Sequence, residues 1–106
     1  WQTTANAPAP EQPNNSQTST KEFTWRLVDR KLIEGSPTLT INEGDSVVLT
    51  IISDEADSAH VHGYDLSAAF EPNVPATLTF VANASGRFEI ELHEGGNEIG
   101  AIEVLP

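Results

Sequence analysis

A chain of 106 residues is long enough for one hydrophobic core, and with no cysteine and no methionine it has no disulfide, thiolate metal site or cysteine nucleophile. Its formal net charge of −11 argues against nucleic acid and anionic membranes, which need clustered Lys or Arg. The acidity serves solubility, and it also sets up a field that attracts metal cations or a basic partner.

Residues 1–20 are Pro, Gln, Asn, Thr, Ser and Ala with almost no large apolar residue after Trp1. Such a stretch buries too little surface to offset its ordering entropy, so it reads as a flexible tether ahead of a domain over 21–106. Trp1 in place of a starting Met leads to the expectation of a removed leader and an exported, periplasmic or extracellular protein, anchored as a lipoprotein. A leftover inter-domain linker explains the same composition. No apolar run is long enough to span a bilayer, which leaves an N-terminal anchor as the route to a membrane.

From Lys21 onward the pattern is β. Phe23, Trp25 and Leu27 alternate with Thr24, Arg26 and Val28, as in a strand with one buried face. A short run at Lys31–Ile33 ends at the turn Gly35-Ser36-Pro37, and Thr38–Ile41 precedes a second turn, Asn42-Glu43-Gly44-Asp45. The apolar run Val47–Ile52 follows, then an acidic corner at 53–57, and then a strand that carries His60 and His62. Thr77–Val81, Arg87–Leu92 and Ile99–Leu105 complete the series, separated by Gly-, Pro- and Asn-rich loops. Seven or eight short strands without helical periodicity predict an all-β, Greek-key β-sandwich.

Two of the three histidines lie in Ala59-His60-Val61-His62-Gly63-Tyr64-Asp65-Leu66. On an extended segment the H-x-H spacing puts both rings on one face, because side chains alternate. If Val61 faces the core, His60 and His62 face out. If Phe88, Ile90 and Leu92 face the core, then Glu89, Glu91 and His93 face out. A one-residue slip or a bulge before His93 would turn it away.

Other constellations carry less. Ser58 or Ser67 with His60 and Asp57 lacks the nucleophile elbow and oxyanion loop of a hydrolase. Asp54, Glu55 and Asp57 lack the spacing of a calcium loop. Asn83-Ala84-Ser85 fits a glycosylation sequon, relevant only in a eukaryotic secretory protein. An enzyme is the less favoured expectation.

The order Asn42-Glu43-Gly44-Asp45, then His60-Val61-His62-Gly63-Tyr64-Asp65-Leu66, then Gly86-Arg87-Phe88-Glu89-Ile90-Glu91-Leu92 and a closing strand resembles a cupredoxin over residues 23–105. It is most similar to bacterial secreted or lipoprotein cupredoxin-like domains with an HVHGYDL-type strand. The departures matter as much. A blue-copper site needs a Cys thiolate and two imidazoles, usually with an axial thioether. Leu92 stands where the resemblance puts that Cys, and Ile99 lies near the axial position. Blue-copper electron transfer is therefore excluded.

Against the copper strands of multicopper oxidases, the resemblance places Asp57 at the inward histidine position and His60 and His62 at the outward pair. Glu91-Leu92-His93 replaces the H-C-H triplet. In a cupredoxin these two strands are neighbours about 4.8 Å apart, which implies a surface site of His60, His62 and His93. Glu91 would be a fourth ligand or a hydrogen-bond acceptor for the others, and Tyr64 and Asp65 are weaker supporting candidates. Copper is the implied metal, favoured by the Irving–Williams order, with zinc as runner-up. Imidazole ligation weakens below about pH 6 as the rings protonate.

The expected function is thiolate-free copper binding, storage or transfer at the cell surface or in the periplasm. Self-association of these domains could close the open side of the site. Two competing readings stay open: a metal-free interaction or accessory module, and a non-blue copper redox protein.

Overall fold

The computed structural model describes residues 19–106. The tether expected over residues 1–20 therefore lies, apart from its last two residues, outside the described residues. Among those described, alternating apolar and polar side chains form nine strands in chain order: β1 (Thr20–Val28), β2 (Lys31–Glu34), β3 (Thr38–Asn42), β4 (Ser46–Ser53), β5 (Asp57–Val61), β6 (Leu66–Phe70), β7 (Ala76–Val81), β8 (Gly86–Leu92) and β9 (Glu98–Leu105). They build a four-stranded sheet ordered β2-β1-β4-β7 and a five-stranded sheet ordered β3-β9-β8-β5-β6. No helix among the described residues is long and apolar enough to cross a membrane.

The strand count exceeds the seven or eight expected because the histidine stretch is a hairpin. β5 ends at Val61 and the chain turns through His62–Asp65 before β6. Gly63 at φ 91° and Asp65 at φ 56° make that turn. A Cβ on Gly63 would stand 2.6 Å from Cδ1 of Phe88, so both the backbone angle and the space require glycine.

Inward side chains of both sheets form one core, centred on Trp25, Leu49, Ile51, Val61, Ile90 and Ile102, all about fully buried. Trp25 Nε1 donates to the Ser36 carbonyl at 2.7 Å, so its polar atom is satisfied inside the sandwich. Its ring lies so close to Gly100 that a Cβ there would come within 2.5 Å of it. Phe23, read as a core residue with Trp25, is half-buried and packs at the core's edge.

The buried carboxylate of Asp45 fastens the start of the described chain to the β3–β4 turn. It accepts hydrogen bonds from the Ser19 and Asn42 amides and from Lys21 Nζ at 2.7 Å. The Lys21 bond, followed by the Asn42 bond, holds its carboxyl below the ordinary aspartate value.

Candidate metal centre

The strand that carries His60 pairs antiparallel with β8, with Ala59 opposite Leu92, His60 opposite Glu91 and Val61 opposite Ile90. Ala59, Val61, Ile90 and Leu92 are buried, which sends His60, Glu91 and their alternates to the outer face of the sheet. The ladder continues past both strand ends. The His62 amide donates to the Glu89 carbonyl, and the His93 amide donates to the Ser58 carbonyl, each at 2.9 Å. His93 therefore keeps the parity of β8 although the strand ends at Leu92. A bulge does occur nearby, but on the other side of β8. Ile90 faces Gly100 and Glu91 faces Glu98, so the extra residue is Ile99 of β9 and the β5–β8 register is untouched.

Two diagonal contacts result. His60 and His93 stack with ring centroids 5.6 Å apart and an interplanar angle of 23°. His62 Nε2 lies 3.4 Å from Glu91 Oε1. Both contacts run along the same diagonal of the ladder, each joining a β5-side residue to the one two places beyond its β8 partner. Side chains related in this way are within mutual reach of imidazole and carboxylate lengths. The four groups line one open hollow of about 200 Å³, floored by Leu92 and edged by Gly96. His60 and His62 also line an adjoining hollow with Gly63 and Asp65.

Three imidazoles and a carboxylate would suit a borderline divalent cation such as Cu(II) or Zn(II) more than Cu(I), which prefers sulfur. Two imidazoles sharing one ion at ~2.0–2.1 Å have ring centroids no more than about 6.5 Å apart, and the His60–His93 pair meets that limit. Among the described residues, no three His, Asp or Glu side chains already aim their donor atoms at one point. Closing the set requires a side-chain rotation, for which His62, 62% exposed, has room.

The inward positions hold no such set. Leu92 and Ile99 are core residues. Asp57, inward on β5 and with a side chain 2% exposed, pairs with Arg30 Nη1 at 2.7 Å. Burial alone would raise the Asp57 pKa; the Ser58 and Glu94 amides and the Arg30 guanidinium outweigh it and hold the carboxyl below its ordinary value. Tyr64 is committed elsewhere. Its hydroxyl donates to the Ala84 carbonyl and accepts from the Ala84 amide, and its ring meets Phe88 edge-on. The contributions of Arg30 and Asn97 escaped the sequence reading, since nothing in the spacing joins residues 67 positions apart.

No protein-family model matches the chain, and no curated protein matches it in sequence. Solved structures share its fold. A chain of a heme-copper terminal oxidase dimer superposes with a TM-score of 0.69 at 17% identity, over 96% of this chain and 77% of that one. A laccase from Botrytis aclada gives 0.69 at 15% identity, over 83% of this chain and 23% of the laccase. The reduced Cu(I) form of an amicyanin mutant gives 0.52 at 19% identity, over 76% of this chain and 79% of that one. The chain thus spans about a quarter of the laccase it resembles. These likenesses show a cupredoxin-like β-sandwich, and this one has no cysteine.

Proposed function

We propose that this cupredoxin-like domain binds copper without a thiolate, through His60, His62 and His93, with Glu91 as a fourth ligand or as the acceptor that orients His62. Its role would be copper binding, storage or handover in the periplasm or at the cell surface, after export and anchoring through the N-terminal segment. The observation that carries the reading is the pair of parallel diagonals, His60 with His93 and His62 with Glu91, facing one hollow. The copper proteins among the structural neighbours make copper the first metal to test, with zinc second. The bound ion would supply an exchangeable Lewis-acid centre. The chain's own part is to present the imidazoles from β5 and from the turn and loop that continue its ladder with β8, and to offset the positive charge with Glu91. A second copy or a basic partner could cover the exposed side of the site.

Calorimetric titration with Cu(II), Cu(I) and Zn(II), on the parent and on His60→Ala, tests this. One Cu(II) per chain in the parent, with Cu(I) weaker and both weakened in the variant, supports it. No metal binding in the parent would favour the metal-free interaction module.

A further inference from the structure

The loop that carries His93 is held at both ends by groups that no metal would touch. At its near end the Glu94 amide donates to Asp57 Oδ1 at 3.1 Å, and Asp57 Oδ2 accepts from Arg30 Nη1 at 2.7 Å. At its far end Asn97 Oδ1 accepts from Arg30 Nη2 at 2.8 Å, while Asn97 Nδ2 donates back to the Arg30 carbonyl at 3.1 Å. The Leu92 amide donates to the Asn97 carbonyl at 2.9 Å, which closes the loop on itself. Arg30 thus grips both ends from the β1–β2 turn, a different sheet.

The backbone of that turn is strained. Asp29 at φ 53° and Arg30 at φ 65° are consecutive non-glycine residues in the left-handed region, where Asn-Gly or Gly would be relaxed. A strained Arg persists where its side chain is over-determined by partners, and here each arm of the guanidinium has one. The bidentate fork that joins a carboxylate and an amide is a geometry a lysine cannot reproduce.

We infer that Arg30 and Asp57 are positioning residues that hold His93 in reach of His60. This assignment rests on the reading of the histidine hollow as a metal site. Asp57 lies on the same strand as His60 and, through Glu94, anchors the residue that follows His93, so one carboxylate fixes the spacing between two imidazoles. Asn97 and Arg30 then stop the glycine-containing loop, with Gly95 and Gly96, from swinging away.

The test uses Arg30→Gly, which removes both arms of the grip and relaxes the turn, so that the hairpin keeps its fold, together with Asp57→Asn and His93→Ala. In metal-free protein, amide hydrogen exchange of His93 and Glu94 is expected to accelerate in Arg30→Gly and Asp57→Asn at least tenfold beyond any change at the Trp25 and Ile102 amides, which follow global stability. Cu(II) affinity is expected to fall about tenfold in Arg30→Gly, and to fall no further when Arg30→Gly is added to His93→Ala. Unchanged loop exchange in Arg30→Gly, or losses that add fully in the double variant, overturns the assignment. A parent that binds no copper overturns it too. The exchange measurement then shows whether the metal reading alone has failed or the grip as well.

Discussion

His60 and His93 stack across the β5–β8 ladder with centroids 5.6 Å apart, although they stand 33 positions apart in sequence (93 − 60) and neither is directly opposite the other. His60 faces Glu91, and the contact is diagonal. It exists because the β5–β8 register is set by buried Ala59, Val61, Ile90 and Leu92, whose shift by one place would turn the apolar side chains out. The core therefore fixes the spacing of the imidazoles.

Removing one member of the diagonal should weaken metal binding more than removing the carboxylate. Cu(II) affinity is expected to fall about tenfold or more in His93→Ala, equivalent to about 1.4 kcal/mol, and severalfold less in Glu91→Gln. Competition titration with a copper chelator of known affinity measures both. Equal affinities in parent and His93→Ala would remove His93 from the site.

Copper-loaded protein should be spectroscopically non-blue. With no sulfur ligand in the chain, Cu(II) bound to imidazole and carboxylate gives only weak ligand-field absorption. An intense visible charge-transfer band in copper-loaded protein would contradict the donor set.

Gly63→Ala should destabilise the domain by about 1–3 kcal/mol through a strained left-handed residue and a clash with Phe88. Chemical denaturation measures this directly. Gly96→Ala meets no atom within 4 Å, so its cost should be confined to the backbone at φ 68° and be smaller.

Acid should unfold the domain through Asp45 and Asp57. Both carboxyls are held below the ordinary aspartate value in the fold, so the unfolded chain binds more protons near pH 4. Their stabilisation is complete above about pH 4–5 and is lost as pH falls further, through the folded-state values. Lys21→Met, which removes the largest contribution at Asp45, should flatten stability against pH in that acidic window. An unchanged pH dependence would show that Asp45 does not titrate with folding.

The fold class is readable in the sequence because alternation at Phe23–Val28 and Arg87–Leu92 survives translation into buried and exposed faces, and the apolar run Val47–Ile52 becomes a central strand. The outward parity of His60, His62, Glu91 and His93 is readable for the same reason. Gly63 signals a turn or a close backbone approach, and the structure has both, but the end of β5 at Val61 is not readable, because His62 and Asp65 look like strand residues. The bulge that would rotate His93 falls on the neighbouring strand instead, where Ile99 of β9 absorbs it. Arg30 is invisible as a loop anchor, since its partners, Asp57 and Asn97, meet it only after two sheets have packed.

Under the proposed function, three imidazoles share one ion. Pulsed electron paramagnetic resonance of the Cu(II)-loaded protein counts coordinated imidazole nitrogens, on the parent and on the single variants His60→Ala, His62→Ala and His93→Ala. Three nitrogens in the parent, and two in each variant, are expected. A parent with one or none, or a count that no histidine substitution changes, would contradict the account.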